Sequence, residues 1–158
     1  MKIPALLLGG LVVGPLLFFA QPLRAQSDGC ALLKPADLAT LLGGTPIAKA
    51  IATGCHWTVS GSSRKLIVQI IKTRSPTLTN EMVFAGARMS SAKRGTATVT
   101  DEAGIGDKAF FSLEPIGVVL MTLKRGRLIQ MQYLTGAAGT AKDLAALRPV
   151  AKKAIAAF

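Results

Sequence analysis

The chain has 158 residues, half of them hydrophobic, and 19 lysines and arginines against eight acidic residues give a net charge of +11. One histidine and two cysteines argue against a multi-histidine zinc site and against histidine-based catalysis. An aromatic content of 5% and the lack of a recognisable binding motif argue against nucleic-acid binding. The positive charge favours contact with anionic surfaces, or else a solvated basic surface without a partner.

The first 25 residues are predicted to be a secretory signal peptide. Lys2 supplies a positive start, residues 3–20 form an apolar run, and Ala25 offers a small residue for cleavage. The alternative is an uncleaved anchor, since a run of this length just spans a bilayer, but glycines and a proline inside it weaken a long helix. Cleavage after Ala25 would leave one periplasmic or secreted domain, residues 26–158, with no transmembrane span and a net charge of +9.

Cys30 could be a lipid anchor, a reactive thiol or half of a disulfide. Lipidation requires a cysteine directly after the apolar core, whereas here Asp28 lies two residues before Cys30 and the apolar run ends well upstream. Two cysteines in an exported chain favour a disulfide between Cys30 and Cys55, because the compartment is oxidising. Its loop would stabilise the fold by about 3.5 kcal/mol and would leave no thiol for catalysis.

A helix and two strands are predicted in the first half of the mature chain. The segment "KPADLATLLGG" is predicted to be a helix, with Pro35 at its first position, Asp37 in its first turn and Gly43 at its end. "GCHWTVSG" is predicted to be a strand with Cys55 and Trp57 on one face. "RKLIVQIIK" is almost continuously apolar, which indicates a strand in the centre of a sheet.

The second half begins with a predicted helix over residues 75–95. Apolar side chains at steps of three and four predict its buried face, which consists of Leu78, Met82, Ala85, Met89 and Ala92. Three or four strands follow, in "TATVTDE", "GIGDKAFFSL", "IGVVLMTLK" and "RLIQMQYL", with a hairpin turn between the last two. Gln130 and Gln132 alternate with apolar residues in the last strand, which predicts one solvated face.

A last helix is predicted to start at a capping box formed by Thr140 and Asp143, and Pro149 is expected to kink or split it.

The element order and the short turns predict an α+β domain with an antiparallel sheet flanked by helices. The lack of a repeated βαβ pattern disfavours a doubly wound nucleotide-binding fold. "GIG" at residues 104–106 lacks the rest of a dinucleotide fingerprint and is predicted to be a turn or bulge.

Four motifs span most of the mature chain: "ALLKPADLATLLGG" after Cys30, "GCHW" around the second cysteine, the central "GIGDKAFF" and the terminal "LAALRPVAKKAIAAF". Together they resemble a family of exported bacterial domains of unknown function, best populated by actinobacterial lipoproteins and similar to the extracellular sensor domains of some Ser/Thr kinases. The resemblance implies a disulfide between Cys30 and Cys55 and a helix-flanked antiparallel sheet, similar to the PsbP-like fold. It carries over no catalytic residue. The chain departs from the family in lacking a lipid-bearing cysteine, which removes the support for membrane tethering.

No catalytic residue, metal site or cofactor is predicted. The carboxylates are scattered, and the one adjacent pair, Asp101 and Glu102, should point apart on a strand or turn, which disfavours paired acid–base chemistry. Trp57 is predicted to be a core anchor that packs against the disulfide, with ligand stacking as the alternative.

Three cations at a predicted turn, Lys124, Arg125 and Arg127, are candidates for an anion-binding rim, with scattered solubilising charge as the alternative.

Two functions follow from these patterns. The first is a non-catalytic binding or interaction module for a small ligand or an envelope protein. The second is a structural envelope protein whose basic surface rests on polyanions. A concave apolar pocket beneath the helices would favour the first, and a flat basic rim would favour the second.

Overall fold

A computed structural model describes residues 28–73, 75–94 and 97–158. The predicted signal peptide, residues 1–25, lies outside these residues. Their elements, in chain order, are α1 (Asp28–Ala31), α2 (Pro35–Leu42), β1 (Ile47–Ile51), β2 (Gly54–Thr58), β3 (Lys65–Ile71), α3 (Asn80–Lys93), β4 (Thr98–Asp101), β5 (Lys108–Glu114), β6 (Gly117–Lys124), β7 (Arg127–Leu134) and α4 (Ala141–Ala156). None of these helices is both long enough and apolar enough to cross a membrane.

The strands form a seven-stranded antiparallel sheet in the order β1-β2-β3-β7-β6-β5-β4. Two series of consecutive strands, β1 to β3 and β4 to β7, are joined through α3 so that β3 pairs with β7 in the middle. The predicted α+β class and the central position of β3 are therefore confirmed. The sequence prediction missed β1, an edge strand whose residues are almost all exposed.

Alternation along the strands gives the sheet two faces. The closed face packs against α1, α2 and α4, and its buried side chains include Trp57, Val68, Phe111, Leu120 and Met131. Among the described helices, α3 alone packs on the open face, against a smaller set of buried side chains on the strands: Phe110, Met121, Leu123 and Leu128.

Helix α2 forms as the sequence predicts. The backbone N–H of Lys34 donates to Asp37 Oδ2 at 3.0 Å, and Gly43 ends the helix in the left-handed region with a φ of 79°. The Tyr133 hydroxyl donates to the carbonyl of Leu41 at 3.0 Å, which satisfies a terminal carbonyl of α2 and ties this helix to the closed face.

The predicted disulfide is confirmed. Cys30 in α1 is bonded to Cys55 in β2, with their Cα atoms 4.8 Å apart. A Cβ atom on Gly29 would lie 2.6 Å from the Cα of Gly54, so glycine at residue 29 allows α1 to approach the strand closely enough for the bond. Both cysteines of the chain are therefore structural.

Helix α4 begins at the predicted capping box. The Asp143 backbone N–H donates to Thr140 Oγ1 at 3.2 Å, and the Thr140 backbone N–H donates to Asp143 Oδ2 at 3.0 Å. Pro149 was expected to kink or split this helix; the split is wrong, because α4 is continuous from residue 141 to residue 156, and the kink stays a prediction. Pro149 and Ala145 are both exposed, so the carbonyl that loses its hydrogen bond lies on the solvated side of the helix.

The predicted buried face of α3 is also wrong. Its five residues are all exposed, and the three largest, Leu78, Met82 and Met89, are 41%, 55% and 57% exposed. The helix instead buries Phe84, whose ring packs edge-on against Phe110 with centroids 5.3 Å apart. A helix on one sheet can bury only one stripe, and the stripe with the aromatic ring removes more apolar surface from water.

The segment containing "GIG" is a turn, as predicted. Gly104 and Gly106 have positive φ values of 78° and 67°, and Ile105 between them is buried in the core. The Thr122 hydroxyl donates to the Ile105 carbonyl at 3.1 Å, which fixes this turn against β6.

Candidate functional site

A groove of about 580 Å³ lies between α3 and the open face of the sheet. We call it the α3 groove. Its helical wall is formed by Ala87, Ser90 and Ser91, in the C-terminal half of α3, and by Arg94 directly after the helix. These residues include two serines and an alanine, whereas Phe84 fills the space under the N-terminal half. The change from a large to a small residue along one helix face opens the groove.

The floor of the α3 groove is a set of outward-pointing side chains on β6 and β7. Val119 and Met121 lie on β6, and Gln130, Gln132 and Leu134 lie on β7. The predicted solvated face of β7 is confirmed, since both glutamines are partly exposed. Apolar side chains with interspersed amides are typical of small-molecule sites, in which a few polar groups orient a mainly apolar ligand.

One end of the α3 groove carries a hydrogen-bonded polar cluster. Ser112 Oγ donates to Glu114 Oε1 at 2.7 Å, and Arg94 Nη2 donates to Ser91 Oγ at 2.9 Å and to Glu114 Oε1 at 3.3 Å. The Glu114 side chain is 13% exposed and that of Arg94 is 57% exposed. The cluster therefore presents the Arg94 side chain to solvent beside an apolar floor, and it could hydrogen-bond the polar end of a ligand.

The α3 groove is continuous with a part of the open face that α3 does not cover. Lys49 of β1 is paired in register with His56 of β2, and Lys65 of β3 lies nearby on the same face. Burial, followed by the charges of Lys65 and Lys49, lowers the pKa of His56 below its usual 6.5. His56 Nε2 is buried and has no hydrogen-bond partner among the described residues.

Trp57, predicted as a core anchor or a stacking residue, is 2% exposed and belongs to the core of the closed face together with Cys55. It lies on the opposite side of the sheet from the α3 groove. Its indole therefore packs in the core and does not line the groove.

The three predicted rim cations lie together at the hairpin between β6 and β7, and Arg125 is at its tip with a φ of 50°. The ammonium of Lys124 donates to the Ile155 carbonyl near the end of α4. The Arg127 guanidinium lies 3.8 Å from the centroid of the Phe158 ring. Two of the three cations thus contact the end of α4 and the residue Phe158 that follows it, in contacts that sequence spacing did not indicate.

The adjacent carboxylates point apart, as expected. Asp101 forms an ion pair with Arg88 of α3 at 2.7 Å, and Glu102 pairs with Arg148 of α4 at 2.8 Å. They therefore contact helices on opposite faces of the sheet. Within the described ranges, no group of three histidine, cysteine, aspartate or glutamate residues could hold a metal ion.

Comparison of the chain with protein families, with curated proteins and with solved structures finds no match. The resemblance to exported lipoprotein domains therefore stays a prediction based on short motifs. The sequence prediction also missed the α3 groove as a site. The available signal was the pair of serines at residues 90 and 91, since small residues on a sheet-facing stripe leave space.

Proposed function

We propose that this protein is an exported, non-catalytic binding module that holds a small amphipathic molecule in the α3 groove. The apolar part of the ligand would lie over Val119, Met121 and Leu134, and its polar end would contact the cluster around Arg94 and Glu114. The observation that carries this proposal is the concave, largely apolar groove beneath α3. The signal-peptide prediction supports a periplasmic or secreted location.

The size and lining of the groove support a small ligand. A volume of about 580 Å³ lies within the usual range for small-molecule sites. We assign no catalytic step to the groove, because the carboxylate at its end, Glu114, already accepts hydrogen bonds from Ser112 and Arg94. This arrangement favours orientation of a polar group over proton transfer.

The alternative, a structural envelope protein that uses Lys124, Arg125 and Arg127, has less support. Lys124 contacts α4 and Arg127 contacts Phe158 just after this helix, so an anion would have to compete with a helix carbonyl and an aromatic ring. Arg125 alone at the hairpin tip would be a weak, salt-screened contact.

The test compares wild type with a variant in which a larger side chain fills the α3 groove. Binding is measured with 1-anilinonaphthalene-8-sulfonate, an amphipathic fluorescent probe. Decanoate should displace this probe from the wild-type protein. Val119→Trp places a large ring on the groove floor. Ile67→Trp is the matched control, because Ile67 and Val119 flank Gln132 on the same row of the open face and Ile67 does not line the groove.

Val119→Trp should weaken probe binding by roughly tenfold or more, which corresponds to about 1.4 kcal/mol of lost contact free energy. Ile67→Trp should leave probe binding unchanged. Equal affinity of wild type and Val119→Trp, with both proteins folded, would reject the α3 groove as the ligand site.

A further inference from the structure

All five large hydrophobic side chains exposed in the described structure lie on the side of the sheet that carries α3. Three of them are on α3 or just before it: Leu78, Met82 and Met89. Ile116 lies at the mouth of the α3 groove and is 57% exposed, and Ile47 lies on the open face of β1 and is 59% exposed. The closed-face helices expose no side chain of this kind, so the apolar surface is concentrated on one side.

The outer surface of α3 carries an apolar stripe beside the exposed polar side chains of Glu81, Ser90 and Lys93. Met82, Ala85 and Met89 follow one another at steps of three and four and face away from the sheet, while the opposite stripe packs on it. A soluble helix normally presents a polar surface to water, and apolar stripes on both sides indicate a second contact surface.

The charges on this side identify the chemistry of that contact. Lys49 and Lys65 on the open face and Lys93 at the end of α3 are exposed, and none of them forms an ion pair with a carboxylate of the described residues. The carboxylates Asp101 and Glu114 on this side form ion pairs with arginines. Glu81, in the first turn of α3, has no such partner among the described residues. This side of the molecule therefore carries three lysines without a carboxylate partner in the described structure, together with Glu81.

We propose that this side of the molecule docks on an anionic membrane surface. Met82 and Met89 enter the boundary between headgroups and acyl chains, and Lys49, Lys65 and Lys93 contact lipid phosphates. Interfacial binding requires this combination of exposed apolar side chains with flanking lysines. A second copy of the chain is the poorer occupant, because it would bring like charges together. The docking does not depend on the α3 groove being occupied.

The experiment is co-sedimentation of the full chain with phosphatidylcholine vesicles, with and without phosphatidylglycerol. One variant removes three charges from the docking side: Lys49→Gln, Lys65→Gln and Lys93→Gln. The matched control removes three exposed charges from the closed-face side: Lys34→Gln, Lys142→Gln and Lys152→Gln. A third variant, Met82→Gln with Met89→Gln, removes apolar surface without burying a polar group. The apolar residues 3–20 are identical in wild type and the three variants, so any membrane affinity of that segment is the same in all of them.

Wild type and the matched control should bind the anionic vesicles alike, and binding should weaken with salt. Each lysine removed from the docking side should reduce partitioning by about fivefold. The methionine variant should also lose binding.

Equal losses in the two charge variants would overturn the proposal, because net charge alone would then explain binding. Failure of wild type to bind, or a dimer that the methionine variant converts to monomer, would also overturn it. Probe binding in the α3 groove is measured without vesicles, so the two proposals can fail separately.

Discussion

The two faces of the β-sheet are built from alternate residues of the same strands, yet they are covered to different degrees. The closed face packs against three helices and buries leucines from both α2 and α4, among them Leu38, Leu42 and Leu147. Among the described helices, α3 alone packs on the open face, and Phe84 is the one large side chain that this helix buries. Residues of β1, β2 and β3 on that face remain accessible to solvent.

This difference shows that the size of side chains on a helix, as well as their period, decides whether a face is sealed. Leu147, Val150 and Ile155 of α4 pack on the closed face from the middle of the helix to its C-terminal end. On α3, Phe84 is followed on the inner side by Ala87 and Ser91, which leave the groove. One face therefore supplies most of the core, and the other retains a surface available for binding.

The largest expected effect comes from the disulfide, which belongs to the closed face. Replacing Cys30 and Cys55 together by alanine should lower the free energy of unfolding by about 3.5 kcal/mol, because the unfolded chain regains the entropy of the loop. Urea denaturation with and without a reductant measures the loss, and reduced wild type should match the double variant. A loss below about 1 kcal/mol would show that α1 is held in place without the bond.

A second pair of variants compares the two helix surfaces directly. Leu147→Ala should cost about 2–5 kcal/mol, because Leu147 is fully buried and the substitution leaves a cavity. Met89→Ala should change stability by less than about 0.5 kcal/mol, because Met89 is 57% exposed. Denaturant midpoints at constant m-value report both changes. A similar cost for the two variants would mean that the outer stripe of α3 is buried in solution, for example in a dimer.

The smallest effect concerns the pH dependence of the open face. Burial and the nearby charges of Lys65 and Lys49 lower the pKa of His56, so the folded state binds fewer protons than the unfolded state between that pKa and 6.5. Stability should therefore fall as the pH drops below 6.5, and His56→Gln should remove this contribution. His56 is the only histidine of the chain, so its proton NMR signal titrates alone.

Lys65→Gln should raise the pKa of His56, since it removes one of the positive charges that oppose protonation. Lys152→Gln on α4 is the control and should leave the titration unchanged, because α4 packs on the other face of the sheet. An unchanged pKa in the Lys65 variant would indicate that burial and Lys49 lower the pKa without a contribution from Lys65.

Much of the fold could be predicted because its signals are local. The helix stop at Gly43, the capping box of Thr140 and Asp143, and the turn that contains Gly104 and Gly106 each depend on residues within a few positions of one another. The edge strand β1 was missed because it is short, two of its five residues are alanines, which strands disfavour, and Lys49 interrupts its apolar residues. The candidate site could be predicted only in part, through the solvated glutamines of β7.

The sequence by itself determined the α+β class, the antiparallel order of consecutive strands and the pairing of the two cysteines. The class and the strand order follow from periodicity and turn residues, which act over short distances. The cysteine pairing follows from the cysteine count, because two cysteines in one chain can form a single pair. Only the tertiary structure decided which stripe of α3 is buried, because the Met82 stripe and the Phe84 stripe have similar periods and the sheet can accept one of them. It also assigned Lys124 and Arg127 to the end of α4, since those contacts join residues about thirty positions apart through packing that no local pattern encodes.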